Sequence, residues 1–184
     1  YHSHSMDTID TIMKNIVNLR IHIAPVGFEI DRIIIPATSQ KADKVWLIAH
    51  DNVSEDKAAK YREKIEKELE KNGIKTEVAY ANRLRLFPII KTVTDIILKE
   101  RKNDVYVNVA SGSKIHAIGC MMACMMFDNR EKIHPFYAQA EKYPEYDGTL
   151  QQTYGVAEIY PLPTYRIGTP KPELIKAMDI IKKA

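Results

Sequence analysis

The spacing of short apolar runs constrains the fold of this 184-residue chain more than any other feature. Four runs typical of buried strands alternate with segments typical of helices, at intervals of about thirty residues or fewer. Right-handed crossovers through the helical segments would place the four strands side by side and parallel. The sequence therefore predicts a Rossmann-like, doubly wound α/β domain. The predicted strands are Leu19–Pro25, Val45–Ala49, Lys75–Ala81 and Val105–Ala110.

Helices are predicted between and after these strands, at Ile30 to about Ser39, Ser54–Asn72, Leu84–Lys99 and Ile115–Phe127. We expect a break or kink near Pro36, because proline disrupts the interior of a helix. Pro88 would lie in a first turn, where proline is tolerated. Two later runs, Ile133–Ala138 and Val156–Leu162, predict an antiparallel strand pair that continues the same sheet.

The two ends of the chain lie outside this alternation. Residues 1–5, just before Met6, are typical of a vector remnant. The spacing of apolar residues predicts a short leading helix over Ile9–Val17 and a closing helix over Pro172–Lys183. At about 150 residues per domain, the length predicts one domain, at 6–165, followed by a helix or linker at 166–184.

Composition excludes several classes of protein. With 27 Lys and Arg against 24 Asp and Glu, the net charge of +3 is too small for a polybasic nucleic-acid arm. No apolar run approaches the ~20 residues of a membrane span, and the start does not resemble a signal peptide. Cys120 and Cys124 lie four apart in an apolar stretch, a spacing that predicts buried free thiols. These features indicate a cytoplasmic protein with no membrane contact, metal site or cofactor.

Ligands of open α/β sheets bind beyond the carboxyl ends of the strands, near the point where strand order reverses. The most informative loop there is Ser111-Gly112-Ser113-Lys114, which leads directly from a strand into a helix. Its backbone N–H groups, two hydroxyls and ammonium group would form an anion pocket. The spacing matches neither GxxxxGK[ST] nor GxGxxG, so nucleotide hydrolysis and dinucleotide redox chemistry are not supported. A serine helix cap beside a surface lysine is the alternative interpretation.

Three other loops follow predicted strands, at Pro25–Asp31, His50–Ser54 and Ala81–Arg85. In the first, Glu29 and Asp31 would stabilise the helix macrodipole and repel phosphate. We therefore expect that loop to contact sugar or base edges, or simply to form the turn. In the third, Asn82, Arg83 and Arg85 either supply further polar and cationic contacts or are solvated.

Two further groups of residues have more ordinary interpretations. His116 lies one turn into the helix after Lys114, and we interpret it as a core or surface histidine rather than a ligand contact. Loop tyrosines are common, so stacking on a base is only the secondary interpretation of Tyr143, Tyr146 and Tyr154.

The segments Ala24–Arg32 (APVGFEIDR) and Asn108–Ile115 (NVASGSKI) resemble the CARF domain, the CRISPR-associated Rossmann fold. The resemblance extends over roughly Leu19–Leu162 and is greatest to archaeal regulators in which this domain precedes a winged helix-turn-helix. It implies a homodimer that binds cyclic oligoadenylate, usually the four-membered ring, in a two-fold pocket. DNA would be bound only through a winged-helix module absent from this chain. The implied ligand contacts are Val26, Gly27, Phe28, Asn82, Arg83, Ala110, Ser111, Gly112, Ser113 and Lys114.

Some proteins that resemble this chain also cleave their ligand as ring nucleases. They need no metal, because they align a ribose 2′-hydroxyl with the neighbouring phosphate. Here Lys114 would stabilise the developing charge, assisted by Ser111 or Ser113. Those nucleases have a hydroxyl residue just after the first strand, whereas this chain has Ala24-Pro25-Val26-Gly27. The sequence therefore favours a sensor with a transcriptional output. A ring nuclease, or a regulator with an unrelated small-molecule effector, remains an alternative.

Overall fold

The computed structural model describes residues 18–128, 131–144 and 151–165. Its strands are β1 (Arg20–Pro25), β2 (Lys44–Ala49), β3 (Lys75–Tyr80), β4 (Asp104–Asn108), β5 (Ile133–Gln139) and β6 (Glu158–Pro161). Its helices are α1 (Asp31–Ser39), α2 (Ala59–Lys71), α3 (Leu86–Lys99) and α4 (Lys114–Cys124), with one turn of 3₁₀ helix at Val53–Glu55.

The strands form one sheet in the order β3-β2-β1-β4-β5-β6. Every pair is parallel except β5 with β6, which is antiparallel. This arrangement confirms the predicted Rossmann-like α/β fold with its terminal antiparallel pair. The chain runs outward from β1 to β3 on one side and from β4 to β6 on the other. The order therefore reverses between β1 and β4, and a crevice opens there beyond their carboxyl ends.

Each face of the sheet is covered by its own pair of helices. Ile21 and Ile23 of β1 point into a core shared with α3 and α4, whereas Ala24 joins the core beneath α1 and α2. This alternation follows from the two-residue repeat of a strand. Cys120 and Cys124 lie in the α3 and α4 core as free thiols, as predicted. Burial raises the pKa of both thiols, that of Cys124 to about 12.

Of the break or kink predicted near Pro36, the break does not occur, because α1 continues through this residue to Ser39. A proline at this position removes the hydrogen bond that the Arg32 carbonyl would otherwise accept. The Asn108 side chain replaces it, donating from Nδ2 to the Arg32 carbonyl at 2.7 Å. Tertiary packing thus compensates for the helix breaker.

Other element boundaries also differ from the predictions. The helix predicted from Ser54 begins at Ala59, because Asn52 and Asp56 form separate turns before it. Asn52 Oδ1 accepts from the Ser54 N–H at 3.2 Å, and Asp56 Oδ1 accepts from the Ala58 N–H at 3.0 Å.

The fourth strand and fourth helix are shorter than predicted. The strand ends at Asn108 and the helix at Cys124. The helices predicted at Ile9–Val17 and Pro172–Lys183 lie outside the described residues. Within the part of the chain that the structure describes, no helix combines the length and apolar character that a membrane span requires.

A buried polar cluster, the Glu100 cluster, lies near the amino ends of the strands and consists of Lys44, Trp46, Glu100 and Asn103. Glu100 is 6% exposed and accepts hydrogen bonds from Trp46 Nε1 at 3.0 Å and Asn103 Nδ2 at 2.9 Å. It also forms an ion pair with Lys44. Burial alone would raise the pKa of Glu100, but these three partners outweigh it and hold that pKa below its usual value.

Candidate functional site

The loops that follow β1 and β4 meet at the crevice through two glycines. A methyl group added at Gly27 would lie 3.0 Å from the Gly112 Cα. Gly112 has a φ of +78°, and a methyl group there would lie 2.7 Å from His116 Nδ1 and 2.8 Å from Pro25 Cβ. Side chains are therefore excluded from both positions, and backbone forms the base of the crevice.

A cleft of about 190 Å³ opens above these glycines. All four loops that the sequence singled out contribute to it, because the carboxyl ends of the parallel strands meet at one edge of the sheet. Its walls combine cationic, acidic, neutral polar and apolar side chains. The lining residues are Val26, Gly27, Phe28, His50, Asp56, Lys57, Ala58, Arg83, Gly112, Ser113, His116 and Gln152.

Helix α4 begins at the cleft with a reciprocal cap. Ser113 Oγ accepts from the His116 N–H at 3.3 Å, and His116 Nδ1 accepts from the Ser113 N–H at 3.0 Å. This is a capping box in which histidine takes the place of the usual Glu or Gln. The serine-cap interpretation is thus confirmed for Ser113, and the same residue also lines the cleft.

His116 is neutral at physiological pH. The residue is 4% exposed, and its pKa is lowered to about 4, mainly by burial and also by the nearby Arg83 and His50. Because Nδ1 accepts the Ser113 N–H, the single ring proton resides on Nε2. His116 therefore contributes a neutral hydrogen-bonding group to the cleft, not a cation.

Arg83 provides the most unusual polar group in the cleft. Its backbone N–H donates to Nδ1 of the buried His50 at 3.1 Å, which fixes the loop after β3 against the loop after β2. Its side-chain Nε is buried and has no hydrogen-bond partner among the described residues. Because an unpaired buried donor is unfavourable, an anion in the cleft would gain a preorganised guanidinium partner.

The segment 151–155, which we call the strap, lies against the loop that follows β1. The Gln152 N–H donates to the Phe28 carbonyl at 2.9 Å. Gln151 Oε1 accepts from two backbone N–H groups at the start of α1, at 2.9 and 2.8 Å. The strap thereby places Gln152 in the wall of the cleft.

The two acidic residues of the first loop hold the strap. Glu29 Oε2 accepts from Thr153 Oγ1 at 2.6 Å, and Asp31 Oδ2 accepts from the Gly155 N–H at 2.8 Å. Neither carboxylate lines the cleft. The loop was expected either to contact sugar or base edges or simply to form the turn. The two carboxylates have a structural role, whereas Val26, Gly27 and Phe28 line the cleft.

Of the ten residues predicted as ligand contacts, the cleft brings together Val26, Gly27, Phe28, Arg83, Gly112 and Ser113. Asn82 lies outside the lining, with its Oδ1 accepting from the Leu84 N–H at 3.0 Å in a local turn. Lys114 is exposed at the first position of α4, and Ala110 is buried.

The predicted anion pocket includes the hydroxyl of Ser111, but the structure buries that residue. That residue is 1% exposed, and its Oγ has no partner among the described residues. The cause is Asn108, whose Oδ1 accepts from the N–H groups of Ala110 at 2.9 Å and Ser111 at 3.1 Å. This turn directs the Ser111 side chain inward.

Several lining residues were not predicted as ligand contacts. Two of them carry a sequence signal. His50 follows a predicted strand and belongs to a loop that the sequence singled out, and the Ser-x-x-His spacing places His116 next to Ser113. Gln152 carries no local signal, because its position depends on a contact with the distant Phe28. The described late tyrosines, Tyr143 and Tyr154, lie outside the cleft lining, and Tyr146 lies outside the described residues. Over the same described ranges, no group of three or more His, Cys, Asp or Glu residues is arranged to hold a metal ion.

Comparison with known proteins gives a family for this chain. The model of the family described as HFX_2341_N-like, N-terminal, matches residues 20–143, which include β1 to β5 and most of the cleft. The chain belongs to that family. It is also 30% identical to the uncharacterized protein MJ1513 of Methanocaldococcus jannaschii over an alignment of 191 residues, which covers 89% of this chain. The chain spans 56% of the length of that curated relative.

Two solved structures share the fold of this member of the HFX_2341_N-like family. Can2 from Sulfobacillus thermosulfidooxidans, in complex with cyclic tetra-adenylate, has a TM-score of 0.53 and 14% identity over 67% of this chain and 33% of that protein. Enterococcus italicus Csm6, bound to cyclic hexa-2′-fluoro-hexa-dAMP, has a TM-score of 0.54 and 12% identity over 69% of this chain and 35% of that protein. At these identities the similarity establishes the fold.

Proposed function

We propose that this chain is a CARF-type ligand-sensing domain that binds cyclic oligoadenylate, with cyclic tetra-adenylate as the first ligand to test. The observation that carries the proposal is the cleft at the β1 and β4 switch point, which has a glycine base and an unpaired buried Arg83 Nε. Two solved proteins with the same fold hold cyclic adenine oligonucleotides, which supports the ligand class.

The chemistry of the cleft suits a phosphodiester. The first turn of α4 presents backbone N–H groups and the positive end of the helix dipole. Arg83 and Lys57 in the lining supply cations, and the exposed Lys114 follows the lining residue Ser113. Gly27 and Gly112 allow the ligand to approach the backbone closely.

A homodimer would place two copies of this cleft around one symmetric ring. Each protomer would then contribute the same loops to successive phosphodiesters of the ring. Within each copy, we assign direct contacts to the six predicted residues of the lining and to Lys114. We assign Asn82, Ala110 and Ser111 the role of shaping the loops, because the first forms a turn and the other two are buried.

We further propose that the domain regulates an attached effector in the cytoplasm. The relative MJ1513 is longer than this chain, which spans 56% of it. A winged-helix DNA-binding module, joined through residues 166–184, would convert ligand binding into a change in transcription. In this arrangement ligand binding shifts the dimer toward one of two geometries, and the effector responds to that shift.

The test is retention of labelled cyclic tetra-adenylate by the protein without metal. Lys114→Ala should weaken binding by roughly 10-fold to 100-fold, as expected for a charge-assisted hydrogen bond, and leave the unfolding transition unchanged. Lys71→Ala is the matched control, because Lys71 is an exposed lysine at the far end of α2. It should bind like the wild type.

The products distinguish the three functions. Intact ring retained on the protein supports the sensor. Linear products with cyclic phosphate ends would instead indicate the ring nuclease, against which the burial of Ser111 weighs. No binding of any cyclic oligoadenylate, together with retention of another metabolite, would support the unrelated small-molecule effector.

A further inference from the structure

We infer that Gln152 determines base specificity, by pairing its side-chain amide with the N6 and N7 edge of an adenine in the cleft. The inference rests on the proposed function for the class of ligand. It adds a residue from the strap, far in sequence from the loops at the strand ends, and assigns it the discrimination between adenine and guanine.

The backbone of Gln152 is held firmly while its side chain is free. Its N–H donates to the Phe28 carbonyl at 2.9 Å. On either side, Gln151 accepts from the start of α1 and Thr153 donates to the buried Glu29 at 2.6 Å. The side chain of Gln152 is exposed, lines the cleft and forms no hydrogen bond with the described residues. Because the backbone is already fixed, a ligand that binds the amide has to order only the side-chain rotamers.

The remaining groups of the cleft divide into two regions. His50, Arg83, Ser113 and His116 are linked by hydrogen bonds or by mutual electrostatics into one polar region that suits phosphate and sugar. Phe28 lies beside Gln152 and contacts Tyr61, with ring centroids 5.2 Å apart. Phe28 and Gln152 both line the cleft and are joined through their backbones, so an aromatic residue and an amide are neighbours there, which is a combination that suits a base.

The chemistry of the amide selects adenine. A glutamine amide donates to adenine N7 and accepts from adenine N6, whereas the same edge of guanine presents only the acceptors N7 and O6. Asp56 has only acceptor oxygens and cannot donate to N7, and Ser113 Oγ already accepts from the His116 N–H at 3.3 Å. Gln152 is thus the lining residue that presents both a donor and an acceptor without a prior partner.

The experiment compares the affinities of cyclic tetra-adenylate and cyclic tetra-guanylate for wild type and Gln152→Met. Methionine keeps the length of the side chain and removes both hydrogen-bonding atoms. We expect the wild type to prefer the adenylate ring by about 10-fold to 100-fold and the variant to show a preference of less than about threefold. Gln139→Met, at a glutamine of β5 outside the lining, should keep the wild-type ratio.

A second probe isolates the contact to N7. A ring built from 7-deaza-adenosine lacks that acceptor, so wild type should bind it about 10-fold more weakly than the natural ring, and Gln152→Met should bind both rings alike. Equal discrimination by wild type and Gln152→Met, or a wild type that accepts both bases equally, would overturn this inference alone. A wild type that binds neither cyclic tetra-adenylate nor cyclic tetra-guanylate would overturn the proposed function as well.

Discussion

The Glu100 cluster and the cleft both gather buried polar groups, at opposite ends of the same sheet, but they treat those groups differently. In the Glu100 cluster the buried carboxylate has a cation and two neutral donors as partners. In the cleft the buried Arg83 Nε has no partner among the described residues, and His116 is neutral. One end of the sheet pairs its buried charge internally, whereas the other leaves a buried donor of a cationic side chain unpaired.

This difference is the one expected between a cluster that stabilises the fold and the binding site that we propose. A paired buried charge contributes to the native state and is costly to disrupt, because its partners are left unsatisfied. An unpaired buried donor already costs stability, so its removal costs little, and its value is realised on binding. Truncation of a charged side chain to alanine should therefore reduce stability but not binding at the Glu100 cluster, and reduce binding but not stability at the cleft.

The largest effect is expected at the Glu100 cluster. Glu100→Ala should lower the free energy of unfolding by about 3 kcal/mol, because Lys44, Trp46 and Asn103 lose their common acceptor. Urea denaturation measures this loss. The exposed Glu70→Ala on α2 is the control and should change stability by less than ~0.5 kcal/mol. Under conditions in which Glu100→Ala remains folded, the affinity of the variant for cyclic tetra-adenylate should equal that of wild type. A loss of binding with preserved stability would reverse the assigned roles of the two ends.

The second effect is a pH dependence that originates in the cleft. The pKa of His116 is about 4 in the native state against 6.5 for the unfolded chain, so the unfolded state binds more protons between these values. The contribution of neutral His116 to the free energy of unfolding is therefore fully present above pH 6.5 and is lost as the pH falls toward 4. At pH 4.5 the loss is on the order of 2.5 kcal/mol.

His116→Gln measures that contribution, because glutamine can keep the capping box but does not titrate. Between pH 7 and 4.5 the variant should lose less stability than wild type, as measured by urea denaturation at each pH. His22, whose pKa burial lowers to about 3, titrates in both proteins and cancels in the difference. Identical pH profiles would show that His116 has the same pKa in the native and unfolded states and would contradict the lowered pKa.

The third effect is on binding alone. Arg83→Ala should weaken cyclic tetra-adenylate binding by roughly 30-fold, or about 2 kcal/mol, and change the free energy of unfolding by less than ~1 kcal/mol. The backbone hydrogen bond from residue 83 to His50 is retained in the variant. Arg85→Ala, at an exposed arginine outside the lining, is the matched control for net charge. Isothermal titration calorimetry should show that this control binds the ligand with wild-type affinity. An equal loss of affinity in both variants would indicate only long-range electrostatic attraction between the protein and the ligand.

The smallest effect is expected at Ser111. Ser111→Ala removes a buried hydroxyl without a described partner, so the free energy of unfolding should stay constant or rise by up to ~1 kcal/mol. Binding of cyclic tetra-adenylate should match wild type in the same titration. A decrease comparable to that of Arg83→Ala would place Ser111 in contact with the ligand and extend the cleft beneath Gly112.

The sequence predicted the sheet well because strand order follows from local patterns and the right-handed crossover rule. It also located the four loops of the cleft, since the carboxyl ends of parallel strands share one edge. It failed where a distant side chain decides local structure. Asn108 replaces the hydrogen bond that Pro36 removes and turns Ser111 inward. Gln152 enters the cleft through a hydrogen bond to Phe28, which no nearby residue signals.

The amide of Asn108 has a mechanical consequence. Its nitrogen bonds the Arg32 carbonyl in α1, and its oxygen bonds the N–H groups of Ala110 and Ser111 in the loop before α4. One planar group thus fastens the helix on one side of the crevice to the loop on the other. The two sides cannot separate unless these bonds break. If a bound cyclic oligoadenylate displaced the loop that contains Gly112, α1 and the strap attached to it would therefore move with that loop.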